Sequence, residues 1–316
     1  MKVNLEKACE LLQGAQNILI FSHQSPDGDT LGSSFALKYA LNGIGKKAAV
    51  VCHDSFPAKY GYFIDEAGNC PDFEPDLLVS VDVADESLLG KSMEAYRGRI
   101  DLAIDHHPSN SMFAAYTYLE DTSAATAEMI YLIIERMGIA FDKRIANCIY
   151  TGIVTDTGCF KFSNTSARTH IIAAKLIELD TDYEFINKLM FETKSLARIQ
   201  MERMVLNNLE FYFDNRCAVI HYDTNMLQKT GVDESELDGL AAMTRQIEGV
   251  ELGLLIKEKP GEGYKISVRT GAGIDASKLC SQFGGGGHAR AAGCTINKDF
   301  ESVKQDLLKA SEPLFS

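Results

Sequence analysis

The chain has 316 residues, long enough for two domains with a core each, and its 46% hydrophobic and 24% charged content with seven prolines excludes compositional disorder. Lys and Arg number 31 against 44 Asp and Glu, a net charge of −13. Such a surface repels long polyanions, which argues against coating duplex DNA or tracking long RNA; small phosphate esters stay compatible where a cationic pocket or bound metals reverse the field locally.

Residues 4–14 read as a short amphipathic helix ending at Gly14, ahead of an apolar strand at 17–22. The turn that follows, from Ser22 to Asp29, packs His23, Asp27 and Asp29 around Pro26 and Gly28. Asp29 then opens a helix through Leu41, closed by Asn42 and Gly43; an acidic residue at that end suits the helix dipole. Apolar strands are expected at 46–52, at 77–81 ending on Asp82, and at 100–104 ending on Asp105, His106 and His107. Helices follow at 123–137, from 142 to about 158 carrying Asp156, at 166–180 and at 183–190. Strands alternating with helices in this way indicate βαβ units and a parallel sheet buried on both faces.

A polar helical stretch at 195–209 reads as a connector between two domains. Beyond it the pattern changes to strands at 217–222, 251–257 and 264–269, with helices at 233–247, 275–282 and 300–312. These complete a smaller α/β domain. The eight cysteines are scattered without a Cys-x-x-Cys, which reads as reduced thiols in a cytosol, mostly small buried apolar groups. Charge at Lys2, Glu6 and Lys7 interrupts any signal-peptide pattern, and no apolar run approaches the length of a membrane span, so a soluble cytoplasmic protein is expected.

His23, Asp82, Asp105-His106-His107 and Asp156 all follow apolar segments. In a parallel sheet such strands end on one rim, where open α/β sheets place their sites. A single Asp after a strand is more often a cap or a turn residue; the conjunction of four such elements is what points to a site. Asp27, Asp29, Asp82, Asp105 and Asp156 together cannot stay ionised without compensation, because close like charges raise one another's pKa. Two divalent cations remove that conflict. Mixed carboxylate and imidazole donors suit manganese best, with magnesium or iron as alternatives, and the lack of cysteine pairs disfavours structural zinc. Two metals sharing a carboxylate clamp a phosphoryl oxygen and make hydroxide from water at neutral pH, which is phosphoester hydrolysis chemistry.

His23-x-x-x-Asp27-x-Asp29, Asp82, Asp105-His106-His107 and Asp156, in that order, resemble the four motifs of the DHH phosphoesterase superfamily. Gly284-Gly285-Gly286-Gly287-His288 followed by Ala291-Ala292-Gly293 resembles the signature of its DHHA1 substrate domain. The likeness covers nearly the whole chain. It implies an N-terminal DHH domain over 1–190 with a mainly parallel sheet flanked by helices, a helical connector over 191–210 and a smaller α/β DHHA1 domain over 211–316. By this resemblance His23, Asp27 and Asp82 hold one metal and Asp29, Asp82, His106 and Asp156 the other. His107 then sits beside the scissile phosphate and Asp105 orients it. Arg269, Gly285, Gly286, Gly287 and His288 are the expected substrate-binding group, since glycines leave backbone N–H groups open to an anion and arginine pairs bidentately with phosphate. Arg290 is undecided, and Thr126 and Glu128 are within reach of the site but equally explained by helix packing or exposure.

The resemblance also narrows the substrate. RecJ-type exonucleases carry an added oligonucleotide-binding fold, family II pyrophosphatases a different second domain, and membrane cyclic-di-AMP phosphodiesterases transmembrane segments; none of these additions is expected here. The remaining class comprises stand-alone DHH–DHHA1 proteins that degrade oligoribonucleotides a few residues long to mononucleotides and often act on 3′-phosphoadenosine-5′-phosphate. The expected partners are therefore short RNA oligonucleotides or small nucleotides, with no long duplex and no membrane; a homodimer is left open. One alternative is a cyclic-di-AMP or linear diadenylate phosphodiesterase. Another, of a different class, is a metal-dependent nucleotide-binding protein without turnover.

Overall fold

The computed structural model describes residues 1–65, 73–237 and 239–315, which form two compact units, 1–193 and 194–316. Cys70 lies outside the described residues; the other seven cysteines are free thiols, and all but Cys159 are buried.

The first unit runs β1 (Lys2–Val3), α1 (Leu5–Gly14), β2 (Asn17–Phe21), α2 (Gly28–Gly43), β3 (Lys47–Val51), β4 (Leu77–Val81), β5 (Leu102–Asp105), β6 (Tyr116–Leu119), α3 (Thr126–Arg136), α4 (Lys143–Asp156), α5 (Ala167–Glu178) and α6 (Tyr183–Asn187). Its sheet has the order β1-β6-β5-β4-β2-β3, and every pairing is parallel. Both faces are covered, as the apolar runs require: Ile18, Ile20, Val79, Val81, Leu102 and Ile104 pack against the helices of one layer, while Leu19, Phe21, Leu78 and Ala103 join Val83, Leu89 and Met93 on the other. The short strands β1 and β6 were not legible as strands; they hold the sheet edge remote from β3.

From β2 the chain first moves outward to β3 and then crosses back to β4 on the opposite flank of β2. This reversal leaves a crevice at the carboxyl ends of β2 and β4, the place where open α/β sheets bind ligands. The turn carrying His23, Asp27 and Asp29 leaves β2 there, and Asp82 leaves β4.

Helix α2 is buried along most of its length, from Gly28 to Leu41, because it lies under α3 and α4 as well as on the sheet. Glycines make that fit. A Cβ at Gly32 would fall 2.4 Å from the Cys148 carbonyl, and one at Gly152 would fall 2.6 Å from Ala127 Cβ and 2.8 Å from Asp29 Oδ1. Without side chains at those positions α2 and α4 approach closely, which brings the start of α2 and the end of α4 together.

The second unit begins with α7 (Leu196–Asn207), continues through β7 (Glu210–Tyr212), β8 (Cys217–Tyr222), α8 (Thr224–Thr230), α9 (Leu240–Met243), β9 (Leu252–Lys259), β10 (Gly263–Thr270), α10 (Ala276–Ser281), β11 (Gly286–Gly287) and β12 (Ala291–Ile296), and ends in α11 (Phe300–Ser311). The sheet order is β11-β12-β10-β9-β8-β7, with only β8 and β9 parallel. Met201 and Val205 of α7 pack with Ile220, Leu240 and Leu255 in the core of this unit. The single helix expected over 233–247 is instead two short 3-10 turns around α9; Gly239, at φ +84°, breaks it.

Candidate metal centre

Five elements bring the acidic and imidazole side chains together at the crevice. Asp27 caps α2, its Oδ1 accepting from the N–H groups of Asp29 and Thr30 at 3.0 and 3.1 Å. That cap sets the first turn of α2, which points Asp29 inward. Asp29 is fully buried and accepts three hydrogen bonds: from Thr126 N at 2.6 Å, Ala127 N at 2.9 Å and Ser33 Oγ at 3.0 Å. Helix α3 therefore starts at Thr126 rather than at Ser123. Its leading N–H groups are capped by the carboxylate of another helix, a partner that local sequence does not reveal.

Asp82 sits one residue beyond β4 with φ +62°, a left-handed conformation that Asp tolerates better than most residues. The turn drives its carboxylate into the crevice, where it is 3% exposed. Thr126 Oγ1 donates to Asp82 Oδ1 at 2.8 Å, and Thr30 Oγ1 pins the preceding carbonyl of Val81 at 2.9 Å. Asp156 ends α4, its carbonyl accepting from Asn164 Nδ2, which also donates to Ala124 O.

The histidines are oriented by their outer nitrogens. His23 Nδ1 lies 2.8 Å from Gln24 O and His106 Nδ1 lies 3.0 Å from Ser123 O; a carbonyl only accepts, so each Nδ1 carries a proton and Nε2 is the nitrogen turned toward the acids. His23 Nε2 faces Asp27 at 3.7 Å and Asp82 at 3.9 Å. His106 Nε2 faces Asp156 at 3.6 Å, Asp82 at 3.8 Å and Asp29 at 4.0 Å. Donor atoms of His23, Asp27 and Asp82 thus fall within 4.8 Å of one another, and so do those of Asp29, His106 and Asp156. His107 Nδ1 bonds Asp105 at 2.8 Å, and Asp105, wholly buried, is fixed in turn by Asn110 at 2.7 Å. His107 Nδ1 also approaches Asp82 at 3.6 Å.

Burial and mutual repulsion dominate the electrostatics of the acidic nest. Burial first, then Asp29, Asp27, Asp105 and Asp156, raise Asp82 well above the ordinary carboxylate range. Burial and Asp27 raise Asp29, against His106 and the two N–H donors; burial and Asp29 push Asp156 up to about 7. For His107, burial disfavours the charged ring, but the hydrogen bond and charge of Asp105 outweigh it and raise its pKa.

A second layer holds this one. Arg168 of α5 donates to Glu120 at 2.6 Å, to Ser123 Oγ at 2.8 Å and to Glu128 at 3.1 Å. It ties down the segment whose Ser123 carbonyl orients His106. Glu128 is completely buried, which rules out exposure, and its Oε2 anchors Arg168. Reading the chain as a sequence did not single out Arg168, Gly152, Asn110 or Asn164.

In the second unit Arg269 stands on β10 opposite Gly253 and Ala291. The glycine run closes onto β12 as a tight turn. Gly286 and Gly287 pair with β12, and the N–H groups of Gly284, Gly285 and His288 are donated to the carbonyls of Ser281, Cys280 and Ala291. Close approach demands the glycines: a Cβ at Gly285 would meet Gly293 O at 2.2 Å, and Gly287 has φ +138°. The His288 side chain is exposed at the tip of this turn.

Residues 17–153 match the model of the DHH family, N-terminal domain, and residues 218–316 match the DHHA1 domain. A bifunctional oligoribonuclease and PAP phosphatase NrnA from Thermus thermophilus is 30% identical over 95% of this chain and 94% of its own length. The chain belongs to the DHH family. A second DHH relative, the bifunctional oligoribonuclease and PAP phosphatase NrnA of Bacillus subtilis, is 27% identical over 94% of this chain and 93% of its own. The crystal structure of an exopolyphosphatase-related protein from Bacteroides fragilis superposes with a TM-score of 0.86 at 25% identity, covering 98% of this DHH chain and 97% of the other. The likeness therefore spans both units, and the acidic nest lies in or just after the segment matched to the DHH model.

Proposed function

We propose that this protein is a metal-dependent phosphoesterase that hydrolyses short oligoribonucleotides to mononucleotides and 3′-phosphoadenosine-5′-phosphate to AMP. The observation that carries this reading is the pair of donor groups, His23, Asp27, Asp82 and Asp29, His106, Asp156, meeting in one crevice of a chain that matches NrnA proteins end to end.

The donors fit divalent cations. They are carboxylate oxygens and imidazole nitrogens with no thiolate, and the crowding of buried carboxylates is relieved only by positive charge. His23, Asp27 and Asp82 are assigned to one ion and Asp29, Asp82, His106 and Asp156 to the other, with manganese as the best match. When bound, such ions offset the carboxylate charge, polarise phosphoryl oxygens and lower the pKa of water.

The chain's own residues do the rest. The carbonyls of Gln24 and Ser123 keep the proton on the Nδ1 atoms of His23 and His106, so that their Nε2 atoms remain donors to a cation. Thr126 and the start of α3 hold Asp82 and Asp29 in place before any ligand arrives, which lowers the ordering cost of binding. Asp105 supports a proton on His107 Nδ1 and stabilises the charged ring, leaving Nε2 to contact a substrate phosphate. Arg269, Gly285, Gly286, Gly287 and His288 are assigned to substrate binding.

The test is release of mononucleotide from linear diadenylate and of phosphate from 3′-phosphoadenosine-5′-phosphate, with cyclic-di-AMP measured alongside. Turnover that requires manganese, disappears with EDTA and fails in Asp82→Ala is the expected result. Tight nucleotide binding with no turnover at saturating manganese would overturn it in favour of a binding protein, and a marked preference for cyclic-di-AMP would replace the substrate class.

A further inference from the structure

Arg245 lies in the 3-10 turn Thr244–Gln246 that follows α9. Its Nε and Nη1 atoms are both buried and make no hydrogen bond. A buried donor of a charged group left without an acceptor is costly, so such a guanidinium implies an acceptor from outside the chain.

The register of the sheet shows where this guanidinium is. Gly253 of β9 pairs directly with Arg269 of β10, so both project from one face of the sheet. A Cβ at Gly253 would lie 1.8 Å from Thr244 Oγ1, so the 244–246 turn covers that same face. Beyond the end of β10 the ladder continues, with Gly271 N donating to Glu251 O at 2.8 Å. Gly271 is two residues from Arg269 and therefore projects from the face that Arg269 uses, about 6.6 Å along the strand. A Cβ at Gly271 would lie 3.1 Å from Arg245 Nη1. Arg245 and Arg269 thus share one sheet face, Arg245 standing over the bare Gly271 and Arg269 two residues back along the strand. Arg290 comes to the same turn, bonding the Gly271 carbonyl and Ile274 O.

No carboxylate balances this group among the described residues. Arg269 bonds only its neighbour's carbonyl, Val268 O, at 3.0 Å. Glu251, the acid at the adjacent strand end, is held by Arg216 at 2.8 Å. In a chain of net charge −13, three arginines around one strand end, none of them in an ion pair with a described residue, leave positive charge for an anion. A phosphodiester carries one negative charge, whereas a phosphate monoester carries about −1.5 to −2 at pH 7, and forked guanidinium groups match its oxygens bidentately.

We propose that Arg245 completes, with Arg269 and Arg290, a cradle for a phosphate monoester, and that through it the protein favours nucleotides carrying a terminal phosphate in addition to the bond being cut. The ligand's identity rests on the nucleotide hydrolase reading above; the cradle itself rests on the arginines.

Two measurements on the full chain separate the two. With manganese, kcat/KM is compared for ApA, pApA and ApAp in wild type, R245Q and R245K. The wild type should favour a phosphorylated dinucleotide, and R245Q should lower kcat/KM for it tenfold or more through KM, with ApA unchanged within twofold and R245K falling between. Equal loss on all three substrates, or no loss on any, would overturn the cradle. In EDTA, calorimetric titration with AMP and with adenosine reads the same site without turnover. AMP should bind the wild type and bind R245Q at least tenfold more weakly, with adenosine weaker than AMP in both. If no substrate is turned over yet AMP binding depends on Arg245, the hydrolase reading falls and the cradle stands; if turnover is normal and R245Q alters neither turnover nor AMP binding, the cradle falls. A wild-type unfolding temperature for R245Q excludes misfolding, and R245K supplies the answer should R245Q not fold.

Discussion

Thr126 Oγ1 donates to Asp82 Oδ1 across 2.8 Å, joining the first residue of one helix to a carboxylate that ends a strand forty-four positions earlier. Threonine is common at a helix start for local reasons; here its hydroxyl serves a distant acid. Thr126→Val keeps the shape and removes the donor. Because groups that orient metal ligands typically carry 10–100-fold in metal affinity, this variant should bind manganese roughly tenfold or more weakly while Thr126→Ser stays near wild type. Calorimetric titration of the metal-free protein reads the difference directly, and unchanged affinity in Thr126→Val would remove Thr126 from the site.

Gly152 faces Asp29 and Ala127 where α4 meets α2 and α3. A methyl group there has no room, since its neighbours are helix-borne atoms at 2.6 and 2.8 Å. Gly152→Ala should therefore destabilise the protein by about 1–3 kcal/mol despite alanine's better helix propensity. Urea denaturation gives the stability change, and a weaker manganese response in the same variant would show that the helices were pushed apart at Asp29.

Asp82 is the most crowded of the acids, and its φ of +62° suits asparagine as well as aspartate. Asp82→Asn should keep the backbone turn, remove one buried negative charge and so raise the melting temperature of the EDTA-treated protein. In the wild type, manganese at a hundred times its dissociation constant should stabilise by about 2.7 kcal/mol, a gain that Asp82→Asn forfeits together with turnover. Thermal scans with and without manganese distinguish this from simple loss of fold, which would lower the melting temperature in both conditions.

Glu202 of α7 accepts from Arg198 at 2.7 Å and Lys194 at 2.9 Å. Burial works to raise its pKa, but these two cations outweigh it and hold the carboxyl below its ordinary 4.5. A depressed folded-state pKa gives stability that is complete above 4.5 and is lost as pH falls through the folded value. Glu202→Gln should thus cost about 1–3 kcal/mol at pH 7, with the gap to wild type closing below pH 4.5. A gap that stays constant between pH 7 and the lowest pH at which both proteins fold would show that packing, not charge, is what glutamate supplies.

The ligand types were legible because each follows an apolar run, and a parallel sheet turns that local pattern into a shared rim. His23, Asp82, His106 and Asp156 could be named for this reason without coordinates. The strand ends and the cap at Asp27 are likewise local, set by alternation of burial and by side chain to backbone bonds within three residues. The helix expected from Ser123 failed locally because its cap, Asp29, comes from ninety-seven positions away. The glycine run reads as an anion loop in the sequence, and the fold adds a second demand on it, the close contact of Gly285 and Gly287 with β12.

What the sequence determined by itself was therefore the family, the parallel α/β architecture and the identity of the acidic and imidazole groups, since these follow from short-range periodicity and from motifs read in order. Only the tertiary structure decided which nitrogen of each histidine faces the acids, that Thr126 and Arg168 hold them, and that Arg245 shares a sheet face with Arg269. Those relations depend on register and on close approach between segments remote in the chain, and neither leaves a mark on the neighbouring residues.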